Sequence, residues 1–235
     1  TRLLTGPALS AERAAFAYDG DLWVAPREGG RARRLTTAPG RESDPAFSPG
    51  GEWLAFSGNY DGNTDVYLMP AGGGRPRRLT WHPGADRVVG FAPGGKEVLF
   101  RSPRDAFNNR YTSLFLVPVA GGFPRRLPVP HGHHACFGPG GRRLAYTPLA
   151  ERCRQWKNYR GGTVSRIWIL DLDTLAVTEI PQPAGRCNDT EPMWLDGRIF
   201  FLSDRAGEFN LFAYRVETGA IEQLTRFTGF PVLHA

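Results

Sequence analysis

Lysine is nearly missing from this 235-residue chain. Of its 29 cationic side chains only Lys96 and Lys157 are lysines, and 27 are arginines. Beside 29 glycines, 20 prolines and many alanines, this bias reads as genome composition rather than selection for phosphate binding. The net charge of +6 alone is a poor guide to acidic partners. Cysteine is also scarce: Cys136, Cys153 and Cys187 are odd in number and form no C-x-x-C, which argues against a zinc or disulfide framework. Cys136 falls where sister segments carry Ala46 and Gly90, so it reads as a small core residue. No run of 18 apolar residues occurs, so no transmembrane helix is expected. The opening "TRLLTGPALS" lacks the apolar centre of a signal peptide and begins without Met. Sustained apolar periodicity of 3.6 residues is absent, which argues against long helices.

What the chain has instead is a repeat. The word "RARRLT" at Arg31–Thr36 returns as "RPRRLT" at Arg75–Thr80 and as "FPRRLP" at Phe123–Pro128. Aligned on the residue before the Leu or Ile, the positions are Arg34, Arg78, Arg126, Glu179 and Gln223, at intervals of 44, 48, 53 and 44 residues. A second word, "PAFSPGGEWLAF" (Pro45–Phe56), recurs as "VGFAPGGKEVLF", "ACFGPGGRRLAY" and "PMWLDGRIFF", with a degenerate first copy "PALSAERAAF" at Pro7–Phe16. A third recurs as "DLWVAP", "DVYLMP", "SLFLVP", "RIWILD" and "NLFAYR".

Each unit reads as four short strands divided by Gly/Pro turns, with an alternating third strand and a fourth that ends in the arginine word. Four strands recurring every 40–50 residues or so indicate a β-propeller blade. The expected fold is therefore all-β: five complete blades at about 1–41, 42–84, 85–131, 132–186 and 187–228, with 229–235 opening a sixth. The chain reads as one propeller domain, 1–235, cut from a six-bladed parent. The repeated aromatics, Phe47, Phe91, Phe137 and Trp194 with Trp23, Tyr67, Phe115, Trp168 and Phe212, are expected between blades. In the arginine word the Leu or Ile is expected to be buried against a neighbouring blade. The arginine heads are expected in water, their stems covering apolar surface.

These units resemble the WD40-like repeats of TolB, of prolyl-oligopeptidase propellers and of tricorn-type proteases. The stretch "WKNYRGGTVSRIWILDL" (Trp156–Leu172) is more discriminating. It resembles an insertion of the tricorn N-terminal propeller, and "FAYDGDLWVAP", "LSDRAGEFNLFAY" and "QLTRFTGF" match that domain in order. The resemblance covers essentially the whole chain. It implies the noncatalytic first propeller of a long, cytoplasmic, multidomain serine peptidase that assembles into hexamers. In that family the propellers channel or filter peptides, and the catalytic Ser and His lie in later domains with no counterpart here. Peptides and the parent's other domains are the implied partners, and no nucleic acid, membrane or cofactor is expected. A TolB-like interaction scaffold and a prolyl-oligopeptidase propeller are the alternatives.

Within the chain, no G-x-S-x-G elbow offers a nucleophile, so no catalytic residue is assigned. "HGHH" (His131–His134) is the densest imidazole cluster. No acidic partner stands near it in sequence, so no metal site is expected. "YDGNTD" (Tyr60–Asp65) lacks the ligand spacing of a calcium loop and reads as a hairpin turn. Pro148–Ser165 is a long insertion where other repeats have short turns, and function concentrates on such loops. Trp156, Lys157, Tyr159 and Arg160 are its candidates for contacting peptide or another domain, since Arg recognises carboxylates bidentately. Arg104, Arg110 and Tyr111, from the longer loop of the third repeat, and Arg87, from a strand connection, complete the candidate set.

Overall fold

The computed structural model describes residues 4–108, 110–151, 153 and 156–234. It is all-β, with five four-stranded antiparallel sheets in which strands pair in sequence order. The chain divides into two compact units, Thr1–Leu127 and Pro128–Ala235. The first holds three sheets. They are β1 (Thr5–Leu9), β2 (Arg13–Tyr18), β3 (Asp21–Pro26) and β4 (Arg33–Arg34); β5 (Arg41–Phe47), β6 (Trp53–Asn59), β7 (Thr64–Pro70) and β8 (Arg77–Arg78); and β9 (Arg87–Phe91), β10 (Glu97–Ser102), β11 (Ser113–Pro118) and β12 (Arg125–Arg126). The second unit holds β13 (Ala135–Phe137), β14 (Arg143–Tyr146), β15 (Trp168–Asp171) and β16 (Val177–Glu179), then β17 (Asp189–Leu195), β18 (Arg198–Ser203), β19 (Asn210–Arg215) and β20 (Ile221–Gln223). Each sheet corresponds to one sequence repeat, so the five propeller blades expected from the repeats are present.

The Pro-Gly-Gly word has a backbone reason. Its second glycine has φ +76° at Gly51, +67° at Gly95 and +74° at Gly141, and the Asp-Gly turn places Gly197 at +74°. Side chains rarely adopt that region, so the turn selects glycine. "YDGNTD" is the hairpin between β6 and β7, which pair from Asn59↔Thr64 to Trp53↔Pro70.

The third strands of the second and third sheets do not alternate as expected, whereas β3 alternates from Leu22 to Ala25. The interior of β7, from Asp65 to Met69, is buried throughout, as is β11 from Ser113 to Val117. These strands lie inside their sheets and are covered on both faces, so they read as continuous apolar runs. Core clusters form between sheets. Leu22, Ala15 and Ala17 of the first meet Leu54, Phe56, Tyr67 and Met69 of the second. Val66, Leu68 and Leu79 of the second meet Val98, Phe100, Phe115 and Val117 of the third. In the second unit, Ala145, Ile167, Ile169 and Ile180 meet Ile199, Phe201 and Phe212. Half-buried Cys136 packs on that last cluster.

The Leu of the arginine word faces the next sheet as expected, but the arginines do not simply point into water. In the first two blades the first of the pair reaches a neighbouring blade: Arg33 donates to Gly72 O at 2.7 Å, and Arg77 donates to Ala120 O at 2.9 Å and to Val119 O, whereas Arg125 pairs with Glu97 of its own sheet. In the same two blades the second folds back onto an acid at the start of its own third strand, Arg34 on Asp21 and Arg78 on Asp65, each at 2.6 Å. Its Nε also donates to the Thr two residues on, Thr36 O or Thr80 O, at 2.8 Å. A planar guanidinium with five donors can serve all these acceptors at once.

Candidate functional site

The insertion of the fourth repeat leaves β14 at Tyr146 and rejoins the sheet at Trp168. It is latched to the fifth sheet. Arg160 Nη1 donates to Asp204 Oδ2 at 2.6 Å and to Tyr159 O at 3.1 Å. Buried Asn188 closes the latch: its backbone N and Nδ2 donate to the Asp204 carboxylate at 2.7 and 2.9 Å, and Nδ2 also donates to Tyr159 O at 3.0 Å. With Asp204 2% exposed, this is a buried, charge-assisted network that fixes the loop backbone.

Lys157 Nζ donates to Glu208 Oε1 at 2.7 Å from across the same gap. That pair borders a cavity of about 430 Å³, lined by Glu151, Lys157, Leu202, Glu208, Phe209 and Val232 among others. Its walls are apolar with a few convergent charges, the usual character of a small-ligand or side-chain pocket. Trp156 stands 57% exposed beside it in sequence, its ring 6.2 Å from that of Tyr159.

The candidate residues therefore separate. Trp156 and Lys157 belong to an accessible surface. Tyr159 and Arg160 hold the loop, and the Arg160 guanidinium is already engaged by a carboxylate. Arg104 is a framework residue: its side chain is 17% exposed, it pairs with fully buried Asp86 at 2.6 Å, and its guanidinium lies 5.3 and 4.9 Å from the Phe100 and Phe115 rings. Arg87 is the first residue of β9 rather than part of a connection, and pairs with Asp44 at 3.5 Å. Arg110 is exposed, and Tyr111 packs on Phe107 with ring centroids 5.4 Å apart.

Two features were missed in the sequence. Arg205 repeats the Arg104 device in the fifth sheet: it pairs with Asp189 at 3.0 Å, bonds Ser203 Oγ, and covers Phe201 and Phe212. Aligning "RSPRD" with "LSDRA" would have shown it. Burial pushes the Asp189 carboxyl above the usual range, against the pull of Arg205. The second feature joins His134, Glu151 and Glu191, which each bring a ligand-capable atom within 4.8 Å of the others. His134 and Glu191 precede Ala135 and Pro192, the repeat position also held by Gly6 and Asp44.

Comparison with known proteins agrees with this architecture. Residues 1–235 match the family described as the tricorn protease N-terminal beta propeller domain. Tricorn protease homolog 1 of Streptomyces coelicolor is 30% identical over 229 residues, covering 97% of this chain and 21% of that protein. Putative tricorn protease homolog 2 of the same organism is 34% identical, covering 88% of this chain and 18% of its own length. The chain thus spans about a fifth of the length of these curated relatives. The crystal structure of the tricorn protease superposes with a TM-score of 0.84 at 23% identity, over 97% of this chain and 23% of that one. With its five four-stranded blades, its latched Trp156–Gly162 insertion and a family match along its full length, the chain belongs to the tricorn protease N-terminal β-propeller family.

Proposed function

We propose that this propeller is the noncatalytic N-terminal part of a cytoplasmic tricorn-like serine peptidase. It admits peptides, passes them toward catalytic domains that follow it in the parent, and docks against those domains in a homo-oligomer, a hexamer by analogy with the family. The observation that supports this most directly is the latched insertion, which lines one side of an apolar cavity with Lys157 and exposes Trp156 next to it in sequence. An apolar pocket suits a peptide side chain, the exposed Trp156 offers an aromatic anchor, and the Lys157–Glu208 pair can open to meet a peptide terminus. Loops on a rigid scaffold are where such recognition resides.

The test is a peptide library incubated with the purified chain. Mass spectrometry should find every peptide intact, and fluorescence anisotropy should find a subset retained. Trp156→Ala should weaken retention about tenfold, the loss expected of an aromatic anchor. Turnover that depends on residues of this chain would overturn the noncatalytic reading. Retention indifferent to both Trp156→Ala and Lys157→Ala would overturn the assignment of these two residues.

A further inference from the structure

We propose that His134, Glu151 and Glu191 form a binding site for a divalent transition-metal ion, with Zn²⁺ the fitting probe. Three separate segments converge there. His134 directly precedes β13, Glu151 comes from the insertion, and Glu191 sits at a bulge of β17 where the pairing register shifts between Thr190 and Met193. One ligand-capable atom of each lies within 4.8 Å of the other two, and His134 Nε2 is 3.3 Å from Glu151 Oε1.

The placement and chemistry of the side chains favour this reading. Glu191 has φ +50°, the left-handed bulge conformation that the same repeat position takes at Gly6 (+58°) and Asp44 (+52°). Bulges commonly re-aim a side chain, and this one carries a carboxylate of the cluster. Glu151 has a side chain only 3% exposed and Glu191 one 13% exposed. Two such carboxylates drawn together with an imidazole make a donor set of one nitrogen and two oxygens. A divalent cation neutralises that set and binds it at about 2.0–2.2 Å per ligand, with a water left to complete the sphere. By the Irving–Williams order, a given set of nitrogen and oxygen donors binds Zn²⁺ more tightly than Mn²⁺. Behind Glu191, His234 Nδ1 lies 3.2 Å from Oε1, so the segment that ends the described chain holds this ligand in place.

The ion would tie the insertion, β17 and the segment around His234 together beside the cavity that Glu151 lines. This inference does not depend on peptide handling. The experiment is calorimetric titration of the full chain, stripped with chelator, using ZnCl₂ and in parallel MnCl₂. One Zn²⁺ per chain is expected, with Mn²⁺ weaker. Glu191→Gln and Glu151→Gln should each lower Zn²⁺ affinity about tenfold or more, the range seen when ligands or their supports are removed. His134→Gln should likewise lower Zn²⁺ affinity. Absence of stoichiometric Zn²⁺ uptake overturns the proposal. So does a folded Glu151→Gln/Glu191→Gln chain, checked by circular dichroism, that binds Zn²⁺ as tightly as the parent.

Discussion

At the scale of the residue, charge in this protein is mostly structural. Asp86 and Asp189 are fully buried, and each is matched by one arginine whose guanidinium also covers two phenylalanines. Removing the arginine leaves the carboxylate stranded, so Arg205→Ala should cost about 3–5 kcal/mol of unfolding free energy by chemical denaturation. The sign of its pH dependence follows from Asp189. Its folded pKa already lies above the unfolded value and rises further without Arg205. Such a group favours the folded state below its unfolded pKa and loses that contribution as pH rises through the folded one. The deficit of Arg205→Ala against the parent should therefore shrink as the pH falls from 7 toward the carboxylate range. A deficit that stayed constant would show that Asp189 is not the stranded charge.

At the scale of the element, the fourth strands show how unequal the parts of one motif are. Each is only two or three residues long, yet each ends next to an apolar anchor, and Leu79 is 1% exposed between the second and third sheets. Leu79→Ala should cost about 2–5 kcal/mol. Arg77→Ala removes exposed hydrogen bonds to Val119 and Ala120 and should cost no more than about 1 kcal/mol. Thermal melts of the two variants rank them, and a reversed order would contradict the assignment of Leu79 as anchor. The sequence already hinted at this, since Glu179 and Gln223 replace arginine while Ile180 and Leu224 keep the anchor. Hairpins and glycine turns were equally legible, because φ and turn chemistry are local. The buried third strands were not, because their second face is covered by a sheet distant in sequence.

At the scale of the whole molecule, part of the basic charge is balanced within the fold. Arg34, Arg78, Arg125, Arg160 and Arg205 are each committed to a carboxylate. Any retention of a labelled single-stranded oligonucleotide should vanish between about 50 and about 200 mM salt, as purely electrostatic binding does. Anisotropy that persisted at the higher salt would contradict this. Among the described residues no helix is long and apolar enough to cross a membrane. The sequence by itself determined the repeat, the strand count, the turns and the family, because each depends on residues close in the chain or recurring at a fixed interval. Only the tertiary structure decided which candidate arginines were already engaged, that the insertion is latched by Asn188 and Asp204, and that His134, Glu151 and Glu191 meet. Those facts depend on which side chains become neighbours when separate strands pack. Burial then fixes their partners, since a buried charge must find its counter-charge wherever the fold supplies one.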